Sequence, residues 1–231
     1  MNLNSKIALT PIIFILLLAV VPINAQDKNP ETVKKKIAIL LFDNYETLDV
    51  FGPAELFGRL VDLYALNFYS LDGGLVSNRH NVQIMTKKIT EIEKNPYIFL
   101  IPGGLGTRQE VENFKMIEII KEISLSSEYV LTVCTGSALL AKTGLLDNKK
   151  ATSNKRAFSW ASAQSEQVGW NRKARWVIDG KYYTSSGVSA GMDMSLGFLA
   201  DRHGIDFARK VAREIEYHWI EDKENDTFVA K

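Results

Sequence analysis

The side chain best suited to nucleophilic chemistry in this 231-residue chain is its single cysteine, Cys134. It ends the apolar run Tyr129-Val130-Leu131-Thr132-Val133 and is followed by Thr135-Gly136-Ser137, after which Ala138 to Thr143 reads as a helix stopped by Gly144. A sharp turn from a buried strand into a helix lifts a side chain out at the carboxyl end of a sheet, where open α/β sheets place their sites. The amides and dipole of a helix start favour an anion, so the thiol is expected to ionise below the ~8.5 of a free cysteine. The competing reading is a buried inert thiol, a common fate of free cysteine. The polar Thr135-Gly136-Ser137 turn suits a core position poorly and favours the reactive reading.

Two further segments could serve such a thiol. Pro102-Gly103-Gly104-Leu105-Gly106 follows the apolar run Tyr97 to Ile101. Its glycines allow close approach of backbone to a ligand, and their amides could hold an oxyanion. It is neither a phosphate loop nor a dinucleotide fingerprint. Asp49 lies in the otherwise apolar Leu48-Asp49-Val50-Phe51-Gly52-Pro53. Taken alone, it reads as a solvent-facing helix acid. Buried beside a thiol, its pKa would rise and it could move protons, and the two groups would titrate as a unit. His80, His203 and His218 lie in none of these strand-end turns, and no His/Cys/carboxylate cluster has metal-ligand spacing.

The elements that must position these residues alternate. Residues 36–42, 65–71, 97–101 and 129–133 read as buried strands, 76–89 as a β-prone hairpin, and 174–185 as two β runs around Asp179-Gly180. Helical spacing recurs in Leu48, Phe51, Leu56 and Leu60, and in Met116, Ile119, Ile120 and Ile123. Residues 192–200 and 207–219 read as closing helices. The expected fold is α/β: a single, doubly wound, mostly parallel sheet flanked by helices, with a cysteine nucleophile elbow.

Composition is ordinary, 46% hydrophobic with net charge +1, which gives no electrostatic case for nucleic acid. Lys6, the apolar run 7–23 and the junction Asn24-Ala25-Gln26 have the pattern of a secretory signal peptide, although Ile23 sits where a small residue is preferred. The alternative is an uncleaved anchor, for which 17 residues with Pro11 and Pro22 are short against the ~20 a span needs. The expected organisation is a signal peptide over 1–25, a polar leader over 26–35, one domain over 36–220 and a polar tail over 221–231. The product would be exported, periplasmic or secreted, and free of the membrane after cleavage. A single cysteine in such a protein cannot close an internal disulfide.

Together, Ile101-Pro102-Gly103-Gly104, Val133-Cys134-Thr135-Gly136-Ser137 and Thr184-Ser185-Ser186-Gly187-Val188-Ser189-Ala190-Gly191-Met192-Asp193 resemble the ThiJ/PfpI superfamily, which is similar in fold to class I glutamine amidotransferase domains. Leu48 to Ala54 and the Cys-Thr-Gly-Ser elbow are most similar to its isonitrile hydratase branch, which includes sensor domains of some AraC-type regulators. The resemblance implies a nucleophile at Cys134, a partner carboxylate at Asp49, a substrate-orienting Thr135 and an oxyanion side at Gly104 and Gly103. It implies a small-molecule substrate, no cofactor, no metal and a homodimer, for which Phe51, Phe57 and Trp219 offer apolar surface. Many relatives carry a histidine after the elbow; Asn154 of Ala151-Thr152-Ser153-Asn154-Lys155 falls in its place. A Cys-His hydrolase needs that base, so the resemblance points to hydration of a small electrophilic carbon, with isonitrile as the specific expectation. The alternatives are a glyoxalase-like or stress-response enzyme using the same thiol, and a ligand-sensing domain without turnover. A regulator would need a DNA-binding helix pair after Trp219, where the sequence is short and polar.

Overall fold

The apolar run after Lys36 forms strand β1 (Lys35–Leu40), and Ile37 to Leu41 are all 3% exposed or less. A strand covered on both faces is what an all-apolar run in a parallel sheet requires. The structure, a computed structural model, describes residues 33–229; the expected signal peptide and all but the last residues of the leader lie outside them.

After β1 come α1 (Thr47–Gly58), β2 (Tyr64–Ser70), and β3 (Gly74–Ser77) and β4 (Gln83–Lys88), which pair antiparallel as the expected hairpin. Next are β5 (Ile98–Ile101), the single turn α2 (Thr107–Glu110), α3 (Phe114–Ser126), β6 (Tyr129–Thr132) and α4 (Gly136–Lys142). The short β7 (Lys150–Ala151), α5 (Phe158–Ser162) and β8 (Gly169–Trp170) precede β9 (Trp176–Asp179), β10 (Tyr182–Ser185), α6 (Ala190–His203) and α7 (Ile205–Glu214). The main sheet runs β3-β4-β2-β1-β5-β6-β10-β9, with antiparallel pairing only at its two edges, β3–β4 and β9–β10. Strand order reverses between β1 and β5, which is the switch point of a doubly wound sheet. Helices α1, α6 and α7 pack together on the sheet, and α3 packs on α4. The ring of Phe198 on α6 meets Phe57, Tyr97, Tyr129 and Tyr183 at centroid distances of 5.0 to 6.2 Å.

Three expectations need correction. Phe57 is 1% exposed and belongs to this aromatic core, so it offers no surface for pairing; Phe51 and Leu48 are the exposed apolar side chains of α1. Helix α7 ends at Glu214 rather than continuing to Trp219. Glu216 takes φ 53°, and Tyr217, Trp219 and Ile220 turn inward to hydrogen-bond Asp193. The segment after 220 is not a free polar tail: Arg175 N–H donates to Lys223 O at 2.8 Å, Asp226 N–H to Lys173 O at 2.7 Å, and Asp226 is buried.

Candidate active site at the β6 elbow

Cys134 has φ 57°, the left-handed region that costs a non-glycine residue about 1–3 kcal/mol and persists only where neighbours fix it. Its N–H donates to Ser186 O at 3.1 Å, and its carbonyl accepts from the hydroxyls of Ser137 (3.1 Å) and Ser153 (2.9 Å). The elbow is therefore held from α4, from the loop after β7 and from the end of β10.

Asp49, from the first turn of α1, is fully buried and faces this thiol. Its Oδ2 accepts from Gly103 N–H at 2.9 Å, while Oδ1 has no oxygen or nitrogen partner. Gly103 is required here because a Cβ on it would fall 2.5 Å from Thr135 N and 2.9 Å from Asp49 Oδ2. The carboxyl, the glycine turn and the elbow come from the ends of β1, β5 and β6, and so sit beside the switch point.

The two glycine amides are already engaged. Gly103 N–H serves Asp49, and Gly104 N–H donates to Thr135 Oγ1 at 3.1 Å. Thr107 Oγ1 lies 3.1 Å from the same Thr135 oxygen, so Thr135 is fixed from two sides. The groups that face Cys134 Sγ are instead the backbone N–H and hydroxyl of Thr135 and the carboxamide of Asn154. Asn154 Oδ1 accepts from the N–H groups of Arg156 (2.9 Å) and Ala157 (3.1 Å), which leaves Nδ2 for the sulfur. Gly187 makes room for that amide, since a Cβ there would lie 1.8 Å from Nδ2. Sequence reasoning noted Asn154 only as the residue in a histidine's place; its role in holding the sulfur depends on a loop fold that no local pattern signals.

Burial pushes Asp49 well above the usual carboxylate range; Gly103 N–H pulls it back, and Glu46 adds to the rise. Burial also pushes the Cys134 thiol up, as does the Asp49 charge, against the Thr135 and Asn154 hydrogen bonds. The expected lowering by helix amides is overturned, because desolvation of the anion outweighs the few donors that reach it. Two acids in one dry pocket cannot both ionise readily, so ionisation of either opposes ionisation of the other.

Cys134 opens into a cavity of about 590 Å³ lined also by Glu46, Gly104, Arg108, Thr135, Asn154 and Trp160. None of the three histidines reaches it: His80 pairs with Thr47, His203 with Tyr64, and His218 is exposed. Among the described residues no group of three or more His, Cys, Asp or Glu side chains converges as a metal site.

Such an arrangement is that of a doubly wound α/β protein with a cysteine at the elbow after one of its central strands. Its lineage is specific: residues 35–201 match the DJ-1/PfpI family, and the chain belongs to that family. It is 29% identical to the isonitrile hydratase of Pseudomonas putida over 184 residues, 79% of this chain and 78% of that one. It is 26% identical to the HTH-type transcriptional regulator GbdR of Pseudomonas aeruginosa, covering 87% of this chain but only 54% of the regulator. The crystal structure of a ThiJ/PfpI family protein from Pseudomonas syringae superposes with TM-score 0.70 at 25% identity, over 86% of this chain and 82% of that one.

Proposed function

We propose that the protein is a cysteine-dependent hydratase of a small electrophilic carbon, with isonitrile to N-formamide as the reaction. The observation that supports this most directly is the buried Asp49–Cys134 pair, two groups placed to exchange a proton with no histidine within reach. Addition of a thiol and then of water to one carbon can be served by such a pair. The sulfur forms a bond to the terminal carbon, and the thiol proton, carried by Asp49, goes to the same carbon, giving a thioimidate. Asp49 then takes a proton from water as its oxygen adds to that carbon, and returns it to nitrogen. Collapse of the adduct breaks the C–S bond, sends the hydroxyl proton back to sulfur and releases the formamide. Thr135 N–H and Asn154 Nδ2 steady the sulfur through these changes of charge. The similarity to isonitrile hydratase points the same way.

The test is formamide production from a panel of isocyanides, followed by mass spectrometry. Wild type is expected to turn over at least one, and Cys134→Ser none, since a hydroxyl in that position lacks the thiol's nucleophilicity. Turnover of 2-oxoaldehydes without formamide production would replace this reading with a glyoxalase-like one. The similarity to a regulator supports a third reading, ligand sensing without chemistry, for which saturable binding and no turnover are the expected results.

We also propose export. The apolar run 7–23 and the Ala25-Gln26 junction motivate it. Mass spectrometry of the native protein is expected to show an N-terminus near Gln26, and an intact Met1 in a cytoplasmic fraction would overturn it.

A further inference from the structure

We infer that the substrate carries an oxyanion, a carboxylate or phosphate, and that Arg79, Arg108 and Arg156 bind it above Cys134. This inference rests on Cys134 being the reacting group, and it names the substrate class of that site. The three arginines come from separate elements: the β3–β4 loop, α2, and the loop before α5. All three line the Cys134 cavity, and Glu46 is the one acidic side chain beside them in its described lining. None has a carboxylate within 4.0 Å among the described residues, as is also true of Arg172, Arg202 and Arg213, but only these three meet at one cavity. Arg108 is moreover set in place. Its guanidinium stacks on the Trp160 ring at 3.8 Å, and its Nη1 donates to Thr107 Oγ1 at 3.0 Å and Gly104 O at 3.4 Å. A half-buried guanidinium fixed by stacking, with its other N–H groups unengaged, is prepared for bidentate recognition of an oxyanion. A neutral substrate would leave Glu46 as the one charge of the described lining to offset three arginines.

Alkylation of Cys134 tests this without any turnover. Iodoacetate carries an electrophilic carbon beside a carboxylate, whereas iodoacetamide presents the same carbon without charge. The ratio of their rate constants at one pH cancels the thiolate fraction. Relative to the ratio for a small free thiol, the protein is expected to favour iodoacetate by about tenfold or more, as fields of this kind raise local anion concentration. That preference should shrink in high salt and in Arg156→Gln, Arg79→Gln and Arg108→Gln. The first two variants change exposed side chains, so their folding is not in question. Inorganic phosphate and acetate are then added as competitors. Stronger protection by one assigns the anion to that source. A free-thiol ratio in the wild type, or a preference that survives all three substitutions, overturns the inference. Comparison of isocyanoacetate with its ethyl ester separates this result from the proposed reaction: hydration of both with equal KM rejects the anion site and keeps the hydratase, whereas an alkylation preference with neither hydrated keeps the anion site and rejects the hydratase.

Discussion

Asp49→Asn is expected to fold more stably than wild type while losing roughly 10²-fold or more of its turnover, the scale of a lost general acid-base. Both effects have one source. The carboxylate is fully buried, with Oδ1 lacking an oxygen or nitrogen partner and its pKa raised by burial. As pH rises above about 4, the unfolded chain releases the Asp49 proton while the native state retains it, so stability falls through that window until the native carboxyl has also ionised. An asparagine has no such proton to lose. Its Oδ1 can accept from Gly103 N–H, and the variant has no charge to bury at neutral pH, so the penalty of desolvating an ionised carboxylate is removed. The thiol should respond as well. Because the Asp49 charge helps push Cys134 up, the pH midpoint of iodoacetamide alkylation should fall in the variant. Urea unfolding at neutral pH, the alkylation profile and formamide production read the three effects separately. A variant no more stable than wild type, or an unmoved midpoint, contradicts this account of the pair.

What the sequence made legible follows from where the determining forces lie. Ile37 to Leu41 and Ile98 to Ile101 are continuous apolar runs, Tyr129 to Val133 is apolar except for Thr132, and their strand character is local. The elbow at Cys134 and the turn at Gly103 follow directly from those strands, whereas Asp49 taken alone reads as a solvent-facing acid and joins them only through the family resemblance. How these groups interact could not be anticipated. The direction of the thiol's titration depends on how much water reaches it, which a helix-start rule does not contain. Gly104 N–H is turned to Thr135 Oγ1 in a loop that also bridges to Tyr45, contacts between residues far apart in sequence. Asn154 and the three arginines sit in loops and short elements of ordinary polar composition, and nothing in their spacing marks convergence on one cavity. The inward turn after Glu214 was missed because residues 207–219 keep a helical apolar pattern while Asp193 recruits Tyr217 and Ile220.

That recruitment leads to the largest expected loss of stability, in Arg175→Met. Arg175 is 1% exposed. Its Nε donates to Asp193 Oδ2 at 2.7 Å, its Nη1 to Asp226 at 3.2 Å and its Nη2 to Ser189 Oγ at 3.3 Å. Lys155 Nζ lies 3.8 Å from the other Asp226 oxygen, and burial lowers its pKa to about 8. Two cations and two carboxylates are thus sealed together, neutral as a set. Methionine matches the stem of arginine but leaves Asp226 with Lys155 alone and Asp193 with no cation. Stranding one partner of a buried pair typically costs about 3–5 kcal/mol, a large share of the 5–15 kcal/mol that holds a domain folded. At about 2–4 °C per kcal/mol for a domain of this size, Tm should drop by roughly 10 °C. Asp226→Asn should cost less, because Arg175 keeps Asp193. The double variant should be less damaging than the sum of the two, as expected for groups in one network. The site should feel the loss below the melting point. Lys155 follows Asn154 in the chain, and its ties to Thr152, Ala174 and Asp226 anchor the loop that aims the Asn154 amide at the sulfur. Arg175→Met is therefore expected to raise the alkylation midpoint of Cys134 at temperatures where the protein is still folded. A purely additive double variant, or a Tm within a degree or so of wild type, would show that these four charges do not act as one buried unit.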